Sequence, residues 1–237
     1  MGILEPRTYI DIMKATFLLC ALAGLVSAFP ASDVAPLEKR QKIVTGRWCS
    51  PITSLCYVDY TTDLKTSFRL AIPDNAVAGS NFDIAIQIVA PTNQGWTGLS
   101  WGGSMTDAPL TVAWQNGQAP VLSSRWAGGR QVPTAYAQAT YTILQDTGVN
   151  GTHYTLSTIC KGCASWTRAS GSVKTLSPTG SLRLAWASNP QANSVAQRAN
   201  PTSSFEYHPY HGYIDGSFPD AKVPAAQFQA AAAMVRP

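Results

Sequence analysis

The stretch Phe82-Asp-Ile-Ala-Ile-Gln-Ile-Val89 decides the fold of this 237-residue chain. Its large apolar side chains fall at every second position, which is the period of a β-strand with one face in a core. Further strand-like runs, separated by turn signals rich in Gly, Asn and Pro, occupy residues 68–72, 110–114, 141–144, 154–160 and 181–186. Many short strands joined by such turns are typical of an antiparallel sandwich. The sequence therefore predicts an all-β fold, an antiparallel immunoglobulin-like β-sandwich.

Two segments stand apart from the strand pattern. Residues 225–234 are mostly strong helix formers, and Pro224 stands where a helix would begin, so a short C-terminal helix is expected. Residues 191–204 are polar and contain Asn, Ser and Pro, which predicts a long loop. Long loops in compact domains are often functional.

The N-terminus has the pattern of a secretory signal peptide over residues 1–28, with Met13 as an alternative start. An apolar run from Ala15 to Ala28 follows Lys14 and ends in small residues. The run is shorter than the roughly 20 apolar residues that cross a bilayer. Residues 29–40, ending in Lys39-Arg40, are interpreted as a pro-segment; the alternative is a terminal segment with two chance basic residues. Residues 41–237 are then expected to form one secreted, extracellular domain.

The charge pattern excludes several kinds of partner. The net charge is +4, and only 13% of the residues are charged. The arginines are spread singly along the chain, so no basic cluster points to nucleic acid. No second long apolar run follows the signal peptide, which argues against a membrane anchor. We expect a monomer.

Four cysteines remain after the signal peptide: Cys49, Cys56, Cys160 and Cys163. An even number in a secreted chain predicts disulfides, and four cysteines allow three connectivities. We favour the local pairs Cys49–Cys56 and Cys160–Cys163. The alternative for the second pair is a redox or metal-binding CxxC, but no second CxxC accompanies it. No His follows Cys163, which excludes covalent haem attachment of the c type. The sequon at Asn150 predicts N-glycosylation.

Methionine and histidine are scarce in the domain, so each is informative. The methionines are Met105 and Met234, and the histidines are His153, His208 and His211. Methionine usually fills cores, but Met105 lies in the Gly-rich run Gly102-Gly-Ser-Met-Thr-Asp107, where glycines let the backbone approach a bulky group closely.

Three segments resemble the cytochrome domain of fungal cellobiose dehydrogenases and the related DOMON-like iron reductase domains. Residues 95–114, with Gly-Leu-Ser-Trp-Gly-Gly-Ser-Met-Thr-Asp at their centre, look like the haem-methionine loop of that family. Residues 158–166 are similar to its short disulfide loop and following Trp. Residues 205–208 stand where the family has its axial histidine. The resemblance covers most of residues 67–219.

The resemblance implies a non-covalent haem b at one end of the sandwich, with its iron held by Met105 and His208. His211, three residues further on, departs from the expected pattern and is the alternative ligand. Met and His together leave no open position on the iron, so such a site transfers electrons. Arg125 and Arg130 are candidates for the haem propionates, because a guanidinium matches a carboxylate; the alternative for Arg130 is a solvated hairpin residue.

By the same resemblance, electrons would come from a flavin dehydrogenase and pass to a copper polysaccharide monooxygenase, ferric iron or a quinone. The chain ends at Pro237 without the Gly-x-Gly-x-x-Gly fingerprint of flavin binding, so we expect the dehydrogenase to be a separate molecule. The competing hypothesis is a carbohydrate-binding β-sandwich without haem. In that protein the seven tryptophans would stack on sugar rings, although their strand-like alternation favours core packing.

Overall fold

The computed structural model describes residues 43–237, so the predicted signal peptide and pro-segment lie outside the described residues. The elements in chain order are β1 (Val44–Cys49), β2 (Cys56–Thr61), β3 (Ser67–Pro73), β4 (Ile84–Pro91), β5 (Trp96–Ser100), β6 (Thr106–Asn116), β7 (Ala119–Gly128), β8 (Thr134–Ala135), β9 (Thr140–Ile143), β10 (Gly148–Val149), β11 (His153–Lys161), β12 (Ser165–Thr167), β13 (Val173–Thr175), β14 (Ser181–Asn189), β15 (Tyr210–Ser217), a 3-10 turn (Pro219–Ala221), β16 (Lys222–Val223) and α1 (Ala225–Ala232).

The strands form two large sheets and one small hairpin. The larger sheet has the order β1-β2-β3-β4-β11-β10, with β9 paired to β11 and β16 paired to β3. The smaller sheet has the order β15-β14-β5-β6-β7-β8, and β12 pairs with β13. All pairs are antiparallel except β16 with β3. The prediction of an antiparallel β-sandwich is confirmed.

The main core lies between the two sheets. Leu70 and Ile86 from the larger sheet meet Leu99, Leu184 and Trp186 from the smaller one in a single buried cluster. The alternation of β4 therefore points its large side chains inward, as the sequence predicts.

The opposite face of β4 is also buried, because the C-terminal helix covers it. Phe228 and Ala231 of α1 pack with Ala71 and Ala85 in a second apolar cluster. Pro224 is the N-cap of α1. The helix is present where it was expected, and it ends two residues earlier. Within residues 43–237, no helix is long and apolar enough to cross a bilayer.

Both local cysteine pairs are disulfides. Cys49–Cys56 joins the paired ends of β1 and β2, and Cys160–Cys163 closes the turn that leads from β11 to β12. The second disulfide sits in the main core, where Cys160 and Cys163 are both fully buried. The CxxC motif is therefore part of the packing, and its sulfur atoms are bonded to each other.

Candidate functional site

The outer face of the smaller sheet carries a strip of small residues across its centre. In the register of β15, β14 and β5, one outward row runs His211, Ala187 and Gly98. The next outward row runs Tyr213, Ala185 and Ser100. The row between them faces the core through Trp186 and Leu99. We call Gly98, Ser100, Ala185 and Ala187 the small-residue strip.

Met105 stands at one end of this strip, in the loop between β5 and β6. The hydroxyl of Ser100 donates to the carbonyl of Ser104 at 2.6 Å, which ties the loop to the end of β5. Gly103 has a φ of +73°, and a Cβ there would lie 2.9 Å from the carbonyl oxygen of Arg183. Only glycine fits that conformation and that approach, so the backbone passes closely over β14 and leaves the Met105 side chain half-buried.

His208 stands at the other end of the strip, in the segment that enters β15. Its side chain is 8% exposed. Its ring lies 6.1 Å from the Trp96 ring in an edge contact and 4.5 Å from the Tyr207 ring in a stacked one. The ring of His211, on the exposed surface of β15, is 5.1 Å away. The structure thus brings the two candidate imidazoles together.

The loop before His208 is fixed against the outer face of the sheet. Phe205 packs against Trp96 with 4.7 Å between ring centroids, and Val195 and Phe205 form an isolated β-bridge. The indole of Trp114 donates to the carbonyl of Arg198 at 2.7 Å, and that of Trp96 donates to the carbonyl of Glu206 at 3.1 Å. The predicted long loop therefore packs on the outer face of the sheet and positions His208.

Arg125, on β7, lies beneath this loop and is hydrogen-bonded to it. Its side chain faces outward in the same row as Ser100 but is 3% exposed. The guanidinium donates to Ser123 Oγ at 2.6 Å, to the carbonyls of Pro133 and Pro201 at 3.1 Å each, and to the carbonyl of Ser203. Burial lowers the pKa of Arg125. With its donors engaged in this way, the structure gives the predicted propionate contact no support.

Arg130 is exposed in the connection between β7 and β8. The β7 strand ends at Gly128, which pairs with Thr106 beside Met105. Arg130 therefore lies beyond the Met105 end of the sheet, and its propionate role stays a prediction.

Sequence reasoning missed Arg183, which the structure places at the Met105 end of the strip. Its side chain is 58% exposed, and its guanidinium lies 4.4 Å above the Tyr213 ring and 3.6 Å from Asp215. The signal was present in the alternation of β14. Leu182, Leu184 and Trp186 point into the core, so Arg183 belongs to the same outer face as Ala185 and Ala187.

The tryptophans that could have formed a sugar-binding platform are used for packing. Five of the seven are almost fully buried: Trp96, Trp101, Trp114, Trp166 and Trp186. The other two, Trp48 and Trp126, are partly covered. Burial at this level leaves those five rings no face on which a sugar could stack.

Comparison with known proteins shows the family to which the chain belongs. The family model "Cytochrome domain of cellobiose dehydrogenase" matches residues 48–229. The pyrroloquinoline quinone-dependent pyranose dehydrogenase of Coprinopsis cinerea is 32% identical over 164 residues, which are 68% of this chain and 22% of that protein. The chain thus spans about a fifth of the length of this curated relative.

Two solved structures share the fold. The cytochrome b domain of Coprinopsis cinerea pyranose dehydrogenase superimposes with a TM-score of 0.71 and 25% identity, over 82% of this chain and 98% of that one. The cytochrome domain of Myriococcum thermophilum cellobiose dehydrogenase gives 0.72 and 24% over the same shares. The family match covers far more than half of the sequence, and the chain therefore belongs to the family of cytochrome domains of cellobiose dehydrogenase.

Proposed function

We propose that this protein is a secreted b-type cytochrome that binds one haem non-covalently and transfers single electrons. The observation that carries the proposal is the placement of a thioether, Met105, and an imidazole, His208, at opposite ends of one strip of small side chains within a cytochrome-domain fold. Membership of the cytochrome-domain family supports the choice of haem over other cofactors.

The residues present fit a haem by their chemistry. Thioether sulfur and imidazole nitrogen are both ordinary axial ligands of haem iron. Side chains no larger than Ala and Ser along the strip leave room for a flat macrocycle on the outer face of the smaller sheet. We therefore propose this face for the haem, instead of the end of the sandwich that the resemblance implies. When bound, haem supplies a one-electron couple, and a Met/His ligand pair leaves its iron no vacant position. The protein's own part is to hold the ligands and to exclude other reactions.

We assign the imidazole ligand to His208, which the protein holds in a defined orientation between Trp96 and Tyr207. A ligand held by packing keeps its geometry better than one on a free surface. His211 is exposed on β15 and is the alternative ligand. His153 lies on β11, in the other sheet, and has no part in the site.

For the propionates we propose Arg183 together with the Tyr213 hydroxyl, in place of Arg125. Both side chains are exposed on the outer face at the Met105 end of the strip. The Arg183 guanidinium stacks on the Tyr213 ring, so its N–H donors are oriented before a carboxylate binds. Arg130 stays a secondary candidate at the same end of the sheet.

The electron donor is proposed to be a dehydrogenase. The relative in Coprinopsis cinerea is itself a pyranose dehydrogenase. For the acceptor we propose a copper polysaccharide monooxygenase, ferric iron or a quinone. Secretion fits the two disulfides and the exposed sequon, where the Asn150 side chain accepts from the backbone N–H of Thr152 and His153 at 2.9 and 2.7 Å.

Stopped-flow absorbance tests the transfer function. The protein is reduced with dithionite, re-purified and mixed with a ferric complex, with a copper polysaccharide monooxygenase or with oxygen alone. We expect the ferric complex or the copper enzyme to oxidise it rapidly and oxygen slowly, with rates toward charged acceptors that depend on salt concentration. Oxidation by oxygen as fast as by every acceptor would point to haem storage or sensing instead.

A further inference from the structure

The backbone two residues after Met105 is held in a left-handed conformation. Asp107 has a φ of +57°, in the left-handed region that non-glycine residues rarely adopt. At the same place the pairing of β6 with β7 shifts register, so that Thr106 and Ala108 pair with Gly128 and Ala127 and Asp107 is left out as a bulge. Such conformations persist where the surroundings fix them, and they cluster at functional sites.

The surroundings of Asp107 are the β12–β13 hairpin. The indole N–H of Trp166 donates to the backbone carbonyl of Asp107 at 2.9 Å. The backbone N–H of Ala169, in the turn of the hairpin, donates to the Asp107 carboxylate at 2.7 Å. One residue thus receives two hydrogen bonds from a segment about 60 positions later in the chain.

The same hairpin also holds the residue that begins the methionine loop. Lys174 Nζ donates to the carbonyl of Gly102 at 3.3 Å and lies 5.5 Å from the centre of the Trp166 ring. A Cβ on Gly102 would lie 2.4 Å from that of Ala108 and 3.4 Å from the Trp166 ring. The hairpin therefore hydrogen-bonds to the loop on both sides of Met105, at Gly102 before it and at Asp107 after it.

The hairpin is itself fixed to the core. Trp166 is 3% exposed and belongs to the main apolar cluster. The Cys160–Cys163 disulfide ends two residues before β12. The backbone N–H of Leu176 donates to the carbonyl of Ala164 at 2.8 Å, which closes the base of the hairpin. A segment anchored in this way can impose a position on the loop that it touches.

We propose that the β12–β13 hairpin fixes Met105 in place for iron ligation, with Asp107 as the positioning residue through which it acts. The inference rests on the proposed function. A neutral thioether binds iron without help from charge, so its ligation depends on the loop holding the sulfur where the iron will be. A loop ordered before the cofactor arrives loses less conformational freedom on binding.

The test compares Asp107→Asn, Asp107→Ala and the control Lys65→Ala. Asn tolerates a left-handed backbone and keeps a side-chain oxygen to accept from Ala169, so Asp107→Asn removes only the charge. Asp107→Ala removes both the charge and the hydrogen bond that the carboxylate accepts from Ala169. Lys65 also has a positive φ, +61°, in an exposed turn of the other sheet, so Lys65→Ala controls for general strain.

Two readouts follow in the protein loaded with haem: the thioether-to-ferric-iron charge-transfer band and the midpoint potential. Loss of a negative charge near the iron raises the midpoint potential. Asp107→Asn is therefore expected to raise the midpoint potential and to leave the charge-transfer band intact. Asp107→Ala should instead weaken the band and lower the potential below that of Asp107→Asn. Lys65→Ala should match the parent protein in both. Equal spectra and potentials for Asp107→Ala and Asp107→Asn would overturn the proposal.

Hydrogen exchange in the protein without haem separates this inference from the proposed function. Loss of a hydrogen bond to a charged group should speed exchange of the amides in residues 102–106 by on the order of tenfold in Asp107→Ala. Trp166→Phe keeps an aromatic ring but removes the indole N–H that donates to the Asp107 carbonyl. Where Asp107→Ala does not fold, this variant should likewise speed exchange. Unchanged exchange in these variants would overturn the proposal that the β12–β13 hairpin fixes the Met105 loop, even if the parent protein binds haem. Faster exchange would support that proposal even if the parent protein binds no haem.

Discussion

The imidazole rings of His208 and His211 lie 5.1 Å apart, edge to face at 73°. They differ in how the protein holds them. His208 is packed between Trp96 and Tyr207, whereas His211 projects from the exposed surface of the edge strand β15. A ligand needs an orientation that the protein sets, and this difference is the basis for assigning the iron to His208.

The first prediction separates the histidines. His208→Ala is expected to lose haem or to become high-spin, because the imidazole held by the protein is gone. His211→Ala and the control His153→Ala should keep the six-coordinate low-spin spectrum. Absorbance of the ferric and ferrous forms measures the outcome. Loss of haem from His211→Ala alone would assign the ligand to the other ring.

The second prediction concerns the sulfur ligand. Met105→His should keep six-coordination but lower the midpoint potential, since the thioether favours ferrous iron more than imidazole does. Met234→His is the matched control, because that residue follows α1 at the partly exposed C-terminus. Spectroelectrochemical titration gives both potentials. A potential unchanged by Met105→His would remove Met105 from the coordination sphere.

The third prediction concerns the buried arginine. Arg125→Met leaves the carbonyls of Pro133 and Ser203 without their donor, whereas the carbonyl of Pro201 keeps the Ser123 hydroxyl. The change should destabilise the protein by roughly 2–4 kcal/mol, given the penalty for unsatisfied buried groups. The exposed Arg130→Met should change stability by at most about 0.5 kcal/mol. Urea unfolding of the protein without haem compares them. Equal stability of the two variants would show that the packing of the loop before His208 does not depend on Arg125.

The fourth prediction concerns the disulfides. Replacing Cys160 and Cys163 together by Ala should cost about 2 kcal/mol of stability, because closing so short a loop restricts the unfolded chain only moderately. The haem should be retained. The double replacement of Cys49 and Cys56, at the far edge of the same sheet as Cys160, is the control. Free thiols at Cys160 and Cys163 in freshly secreted protein would favour a redox role for that motif.

Much of the fold could be predicted because it depends on local alternation. The period-two patterns of β4, β11 and β14 predict both the strands and the face that each buries. Pro224 and the helix formers after it predict α1 in the same way. These signals lie within a few residues of one another, so a single sequence is enough to find them.

The site was predicted less completely, because its supports come from distant parts of the chain. Nothing near Arg125 in the sequence shows that its donors meet the carbonyls of the loop before His208. The hydrogen bonds from the β12–β13 hairpin to Asp107 depend on a bulge and a positive φ, which no local pattern indicates. Arg183 could have been found, since the alternation of β14 already places it on the outer face.

The visible absorption spectrum of the purified protein tests the central claim most directly. Expressed with haem available, the protein should show a sharp Soret band and, after reduction, the split bands of a six-coordinate low-spin b-type haem. Acid acetone should extract the haem, because no CxxCH motif exists to bind it covalently. A colourless protein with its full content of β-strand would contradict the account.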